Sequence, residues 1–93
     1  MTYEEDISKL RVEINRLNQE IVSKLAERVR IALKISKVKK HYGKPIVDRA
    51  REEKVIEQVK ELAGEKGLDS KRIERIFREI IGLCTEAELE EYH

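Results

Sequence analysis

The sequence predicts an all-α fold of three helices, long, short and medium, and three observations carry that expectation. Apolar residues recur at helical spacing along most of the chain. Breaker residues cluster at Tyr42, Gly43 and Pro45 and again at Gly64 and Gly67, dividing the chain into three runs. No alternating strand pattern, internal repeat, low-complexity segment or linker interrupts them, and 93 residues make one domain, 1–93.

The first helix is read over 3–41. Its stripe runs through Ile7, Leu10, Ile14, Leu17, Ile21, Leu25, Ala32, Ile35 and Val38, and Thr2 followed by Glu5 has capping-box spacing. At 1.5 Å per residue it would be roughly 55 to 60 Å long, too long for a compact monomer of this size. A protruding helix with heptad-like spacing from Ile7 to Ile21 suggests pairing with its copy. After the break, Asp48 offers an N-cap for a second helix over 48–65, whose end Gly64 and Gly67 are expected to loosen. Leu68, Asp69 and Ile73 have the spacing of a hydrophobic staple around an N-cap. They open a third helix over 70–91 with Ile73, Ile76, Phe77, Ile80, Ile81, Cys84 and Ala87 on one face, and Glu88 on that same face.

Composition narrows the function classes. Lysine plus arginine (20) nearly cancels aspartate plus glutamate (19), so no global field draws in nucleic acid or an acidic membrane, and any partner is recognised locally. No apolar run is long enough to span a bilayer, and the opening MTYEEDISKL lacks the features of a signal peptide, which predicts a cytoplasmic protein. The single cysteine, Cys84, excludes an internal disulfide, and His41 and His93 lack metal-ligand spacing, so neither metal nor cofactor is expected.

The most informative residues are cations where a helix should be apolar. Arg28 and Lys39 fall within the first helix's stripe, about 20° apart around its axis. A buried cation there needs either an acidic partner or an anionic ligand. The inward set comprises Arg11, Arg28 and Lys39 on the first helix, Arg51 and Glu52 on the second, and Glu88 on the third: four cations against two carboxylates. That excess suits a small dianion, because guanidinium recognises carboxylate through directional paired hydrogen bonds. Arg11 lies about 25 Å along the helix from Arg28, so if it contacts the same ligand it must come from another chain. An intertwined antiparallel homodimer with two shared sites then follows.

In these residues the chain resembles the all-helical chorismate mutases. The run LRVEINRLNQEIVSKLAERVRIALKISKVK is similar to that family's first helix, with Arg11, Arg28 in AER and Lys39 in KVK at its substrate positions. In KPIVDRAREEKVI the family's D-x-x-R-E element appears as Asp48, Arg51 and Glu52, and the third helix supplies Cys84 and Glu88 at its remaining polar positions. The resemblance implies the Claisen rearrangement of chorismate to prephenate in phenylalanine and tyrosine biosynthesis, without metal or cofactor. It further implies that Arg28 and Arg11 of the partner subunit hold the two carboxylates and that Lys39 and Glu88 flank the ether oxygen. Glu52 and the backbone near Asp48 would take the ring hydroxyl, with Arg51 near a carboxylate or orienting Glu52. Two positions depart from many relatives: glutamine is common where Glu88 stands, and serine where Cys84 stands. Cysteine is the poorer donor, which sets its contact with substrate apart from that of serine.

Plainer readings stand beside these. Arg11 reads equally as a solvated flank charge, Arg28 and Lys39 as snorkelling or paired with Glu52 or Glu88, Arg51 with Glu52 as a helix-start ion pair, Cys84 as a small core residue, and Glu88 as part of a fraying end. The cluster Lys34, Lys37, Lys39, Lys40, His41 and Lys44 suggests a nucleic-acid binder, against which stand the scarcity of stacking aromatics and the acids elsewhere. A non-catalytic dimerisation module accounts for the heptads but leaves the inward cations unpaired. Within the enzyme class the nearest rival is an isochorismate pyruvate lyase, which the resemblance places close to the mutases in fold and pocket.

Overall fold

The computed structural model describes residues 1–92; His93, counted above among the histidines and in the domain 1–93, lies outside the described residues. Three helices make up the fold: α1 over Tyr3–His41, α2 over Arg49–Glu65 and α3 over Ser70–Tyr92. Each starts on the cap expected for it. Thr2 Oγ1 accepts from the Glu5 N–H at 3.2 Å, Asp48 Oδ1 from the Arg51 N–H at 3.1 Å, and Asp69 Oδ1 from the Lys71 and Arg72 N–H groups. In α1, acids fill the first turn and Lys39, Lys40 and His41 the last, each sign matching the helix dipole. Leu68, the outer residue of the predicted staple, is about half exposed, and the polar cap at Asp69 is in place.

Glycine supplies the stops. Gly43 at φ +65° follows α1, with the Lys44 N–H donating to the Lys39 carbonyl at 2.8 Å and the Gly43 N–H to that of Lys40 at 3.2 Å. Gly67 at φ +73° follows α2, and the Leu68 and Gly67 N–H groups close back on Ala63 and Gly64 in the same two-bond pattern. A left-handed residue after the helix satisfies carbonyls that would otherwise be orphaned. The predicted loosening of α2 is therefore wrong: Gly67 completes a cap and Gly64 lies inside the helix.

Helix α3 packs against both α1 and α2, whereas no Cα of α1 comes within 8 Å of one in α2 among the described residues. Ion pairs Arg78–Glu53 and Lys60–Glu74, each 3.3 Å, lace the outer edge of α2 to α3. Exposed pairs of this kind add little to stability, so packing decides the arrangement. The core is thin, consisting of Ala32, Ile46, Ile56, Ala63 and Cys84 with the polar Ser36 and Glu88. Ser36 is tolerated there because its hydroxyl donates to the Leu33 carbonyl of its own helix at 2.8 Å.

The N-terminal half of α1 leaves most of its apolar stripe uncovered. Leu10, Ile14, Leu17 and Ile21 are all exposed, and the chain measures 62 × 26 × 15 Å. Its radius of gyration, 17.4 Å, exceeds the roughly 12 Å expected of a compact domain of this length. Three more apolar residues assigned to inward faces are also exposed: Val38 near the end of the α1 stripe, Ile76 at the edge of the α3 stripe, and Ile35, which borders an open cavity instead of a packed core. Among the described residues no helix is long and apolar enough to cross a membrane, and no cluster of three or more His, Cys, Asp or Glu is placed to hold a metal.

Candidate active site

Because α1 and α2 each pack on α3 but not on each other, a trough opens between them with α3 as its floor. Its volume is about 380 Å³, within the range of small-molecule sites. Into it the fold brings seven of the eight residues singled out in the sequence: Arg28 and Lys39 from α1, Asp48, Arg51 and Glu52 at the start of α2, and Cys84 and Glu88 from α3. Arg11 is not among them. It stands exposed on the protruding half of α1, outside the cavity of its own chain.

The inward cations do not find carboxylates. Lys39 Nζ donates to the backbone carbonyl of Ile46 at 2.7 Å, and Arg28 Nη1 donates to Cys84 Sγ at 3.0 Å. Neither forms an ion pair within 4.0 Å among the described residues. A carbonyl and a thiol satisfy donors without neutralising charge, so neither contact cancels the charge of its cation. The turn after α1 makes the Lys39 contact possible. The glycine cap folds the chain back at Gly43, Lys44 is tied to the Lys39 carbonyl, and buried Ile46 then places its own carbonyl over the ammonium.

The acids of the cavity compensate little. Asp48 caps α2, and Glu52 pairs with Arg49 at 3.5 Å. That pairing replaces the expected one with Arg51, whose exposed side chain makes no hydrogen bond or ion pair among the described residues. Glu88 is 8% exposed, and its Oε2 is buried without a hydrogen-bond partner. Burial pushes its carboxyl above the ordinary carboxylate value, while the charges of Lys39 and then Arg28 pull the other way. The trough is thus lined by three cations against acids that are occupied or driven toward neutrality.

This shift has a stability consequence. A carboxyl whose folded pKa is raised holds its proton more tightly folded than unfolded, so its contribution is fully present below the unfolded value, about 4.3, and is lost as pH rises through the folded value. Glu88→Gln should therefore melt at a higher temperature than the parent near neutral pH. The gap should close below about pH 4. Thermal melts of both proteins across pH check this.

Sequence reasoning missed the apolar and hydroxyl wall of the trough. Ile31, Ile46, Val47 and Thr85 line it alongside the charged residues and Ile81, which the sequence already places on the α3 face. The apolar pair Ile46 and Val47 just after the breakers was the legible signal. Thr85 carried none beyond standing next to Cys84.

No curated protein matches the chain. The family model described as chorismate mutase type II matches it over residues 10–89. The match takes in most of α1, all of α2 and most of α3, and with them Arg11 and every charged residue gathered in the trough; the chain belongs to the chorismate mutase type II family.

Proposed function

We propose that the protein is an isomerase that converts chorismate to prephenate in phenylalanine and tyrosine biosynthesis. Family membership supports chorismate mutase activity in general. The observation that carries the specific reading is that Arg28 and Lys39 share one cavity and, among the described residues, neither has a carboxylate within 4.0 Å. A small dianion is the ligand that such a site favours.

The rearrangement is unimolecular: the ether C–O bond breaks as a C–C bond forms, and no atom, electron pair or proton leaves the molecule. No nucleophile or cofactor is required, so catalysis rests on conformation and charge. In this reading Arg28 and Arg11 of the partner subunit hold the carboxylates and favour the folded conformer in which the reacting carbons meet. Lys39 leaves the Ile46 carbonyl for the ether oxygen, where negative charge grows as the bond breaks. Protonated Glu88 donates to the same oxygen, Glu52 and the backbone near Asp48 take the ring hydroxyl, and Arg51 lies toward a carboxylate. The exposed stripe on the first half of α1 is covered by a second copy, giving a cytoplasmic homodimer with two shared sites.

The test is a product assay: purified protein with chorismate, followed for chorismate loss and prephenate formation. Prephenate as product supports the reading. Unchanged chorismate, or release of pyruvate from isochorismate in its place, overturns it. The role of Glu88 adds a pH signature, since a carboxyl donates only when protonated. Turnover at saturating substrate should decline as pH rises through the Glu88 pKa in the complex, and Glu88→Gln should flatten that decline. Parallel alkaline declines in the two proteins would rule the donor role out.

A further inference from the structure

Arg28 has two acceptors near it on one face of α3. Cys84 and Glu88 are four residues apart, one turn, and both are buried. Given the choice, a guanidinium favours a carboxylate, which accepts paired charge-assisted hydrogen bonds, over sulfur, a weak acceptor. The structure shows the opposite choice. Arg28 Nη1 is bound to Cys84 Sγ at 3.0 Å, and Glu88 Oε2 is left buried and unpartnered, although Arg28 is close enough to act on the Glu88 charge.

We infer that Cys84 is a positioning residue: it holds the Arg28 guanidinium one turn away from Glu88 and so keeps both groups available to an anionic ligand instead of to each other. Its catalytic consequence rests on the proposed function, whereas its geometric content belongs to the ligand-free protein. Without the sulfur, the freed Arg28 donor turns to the orphaned carboxylate oxygen. The resulting pair neutralises a carboxylate-binding cation and ionises the group meant to donate a hydrogen bond. The other charged groups facing Glu88 keep their own arrangements: Lys39 on the Ile46 carbonyl, Asp48 at its cap, Glu52 on Arg49, and Arg51 at the exposed margin. Arg28 is therefore the group whose partner the substitution removes.

The test is a carboxyl ¹³C NMR titration of Glu88 in the ligand-free protein, assigned by loss of the signal in Glu88→Gln. Cys84→Ala should lower the Glu88 midpoint by about one pH unit or more, as expected when a carboxylate gains a close cation. Cys84→Ser keeps an acceptor for Arg28 and should titrate as the parent does. In an Arg28→Met background Cys84→Ala should move nothing. Should Cys84→Ala fail to fold, Cys84→Val fills the space without an acceptor and gives the same comparison. An unchanged midpoint without the sulfur, or a drop that persists without Arg28, overturns the positioning role. Chorismate turnover by the parent, measured alongside, separates the two readings: no turnover with the midpoint shift present sinks the proposed function alone, and turnover with no shift sinks the positioning role alone.

Discussion

Replacing Lys39 by alanine should lower chorismate turnover by about 10²-fold or more, equivalent to roughly 3 to 4 kcal/mol, the cost of removing one preorganised donor from a developing oxyanion. The loss should fall on kcat, because the ammonium interacts most strongly with charge that exists only in the transition state. Lys39 also anchors the Ile46 carbonyl, so far-UV circular dichroism and a melt must accompany the kinetics to show that the fold survives. Lys39→Arg should rescue poorly, since a planar fork places its charge differently from a compact ammonium. Near-native turnover in Lys39→Ala would remove the electrostatic role from this residue.

Arg11 and Arg28 supply the second large effect. Either alanine variant alone should be nearly inactive, because each removes a carboxylate contact from both sites of the proposed homodimer. Mixed and allowed to exchange subunits, the two inactive proteins should recover about one quarter of the parent's activity. Half of the dimers are then heterodimers, and each carries one intact site of two. A mixture as inactive as its parents, once exchange is verified by a tagged copy, would show that the sites are not shared.

The fold was legible because its determinants are local. Thr2, Asp48 and Asp69 announce helix starts by residue type alone, and Gly43 announces a stop. Gly67 was misread because the same glycine signals either weakness or a cap, and only the backbone bonds around it decide. In the site, helical phase was enough to aim Arg28, Lys39, Cys84 and Glu88 toward one space. Their partners were not legible. Lys39 on a loop carbonyl, Arg28 on a thiol and Glu52 on Arg49 depend on side-chain torsions and on a turn whose path periodicity does not encode. Ser36 escaped notice for a related reason: a hydroxyl satisfied within its own turn is buried without looking apolar.

The division of contacts among the helices also governs how the chain is made. Since among the described residues α1 and α2 each pack only on α3, no packing between helices of one chain can form during synthesis until α3 has left the ribosome. Until then α1 is a long amphipathic helix with its apolar stripe uncovered, and α2 is held to it by a seven-residue turn alone. Packing between helices of one chain is therefore deferred until α3 has been made, and a chain that stops before Ser70 lacks the helix on which α1 and α2 pack.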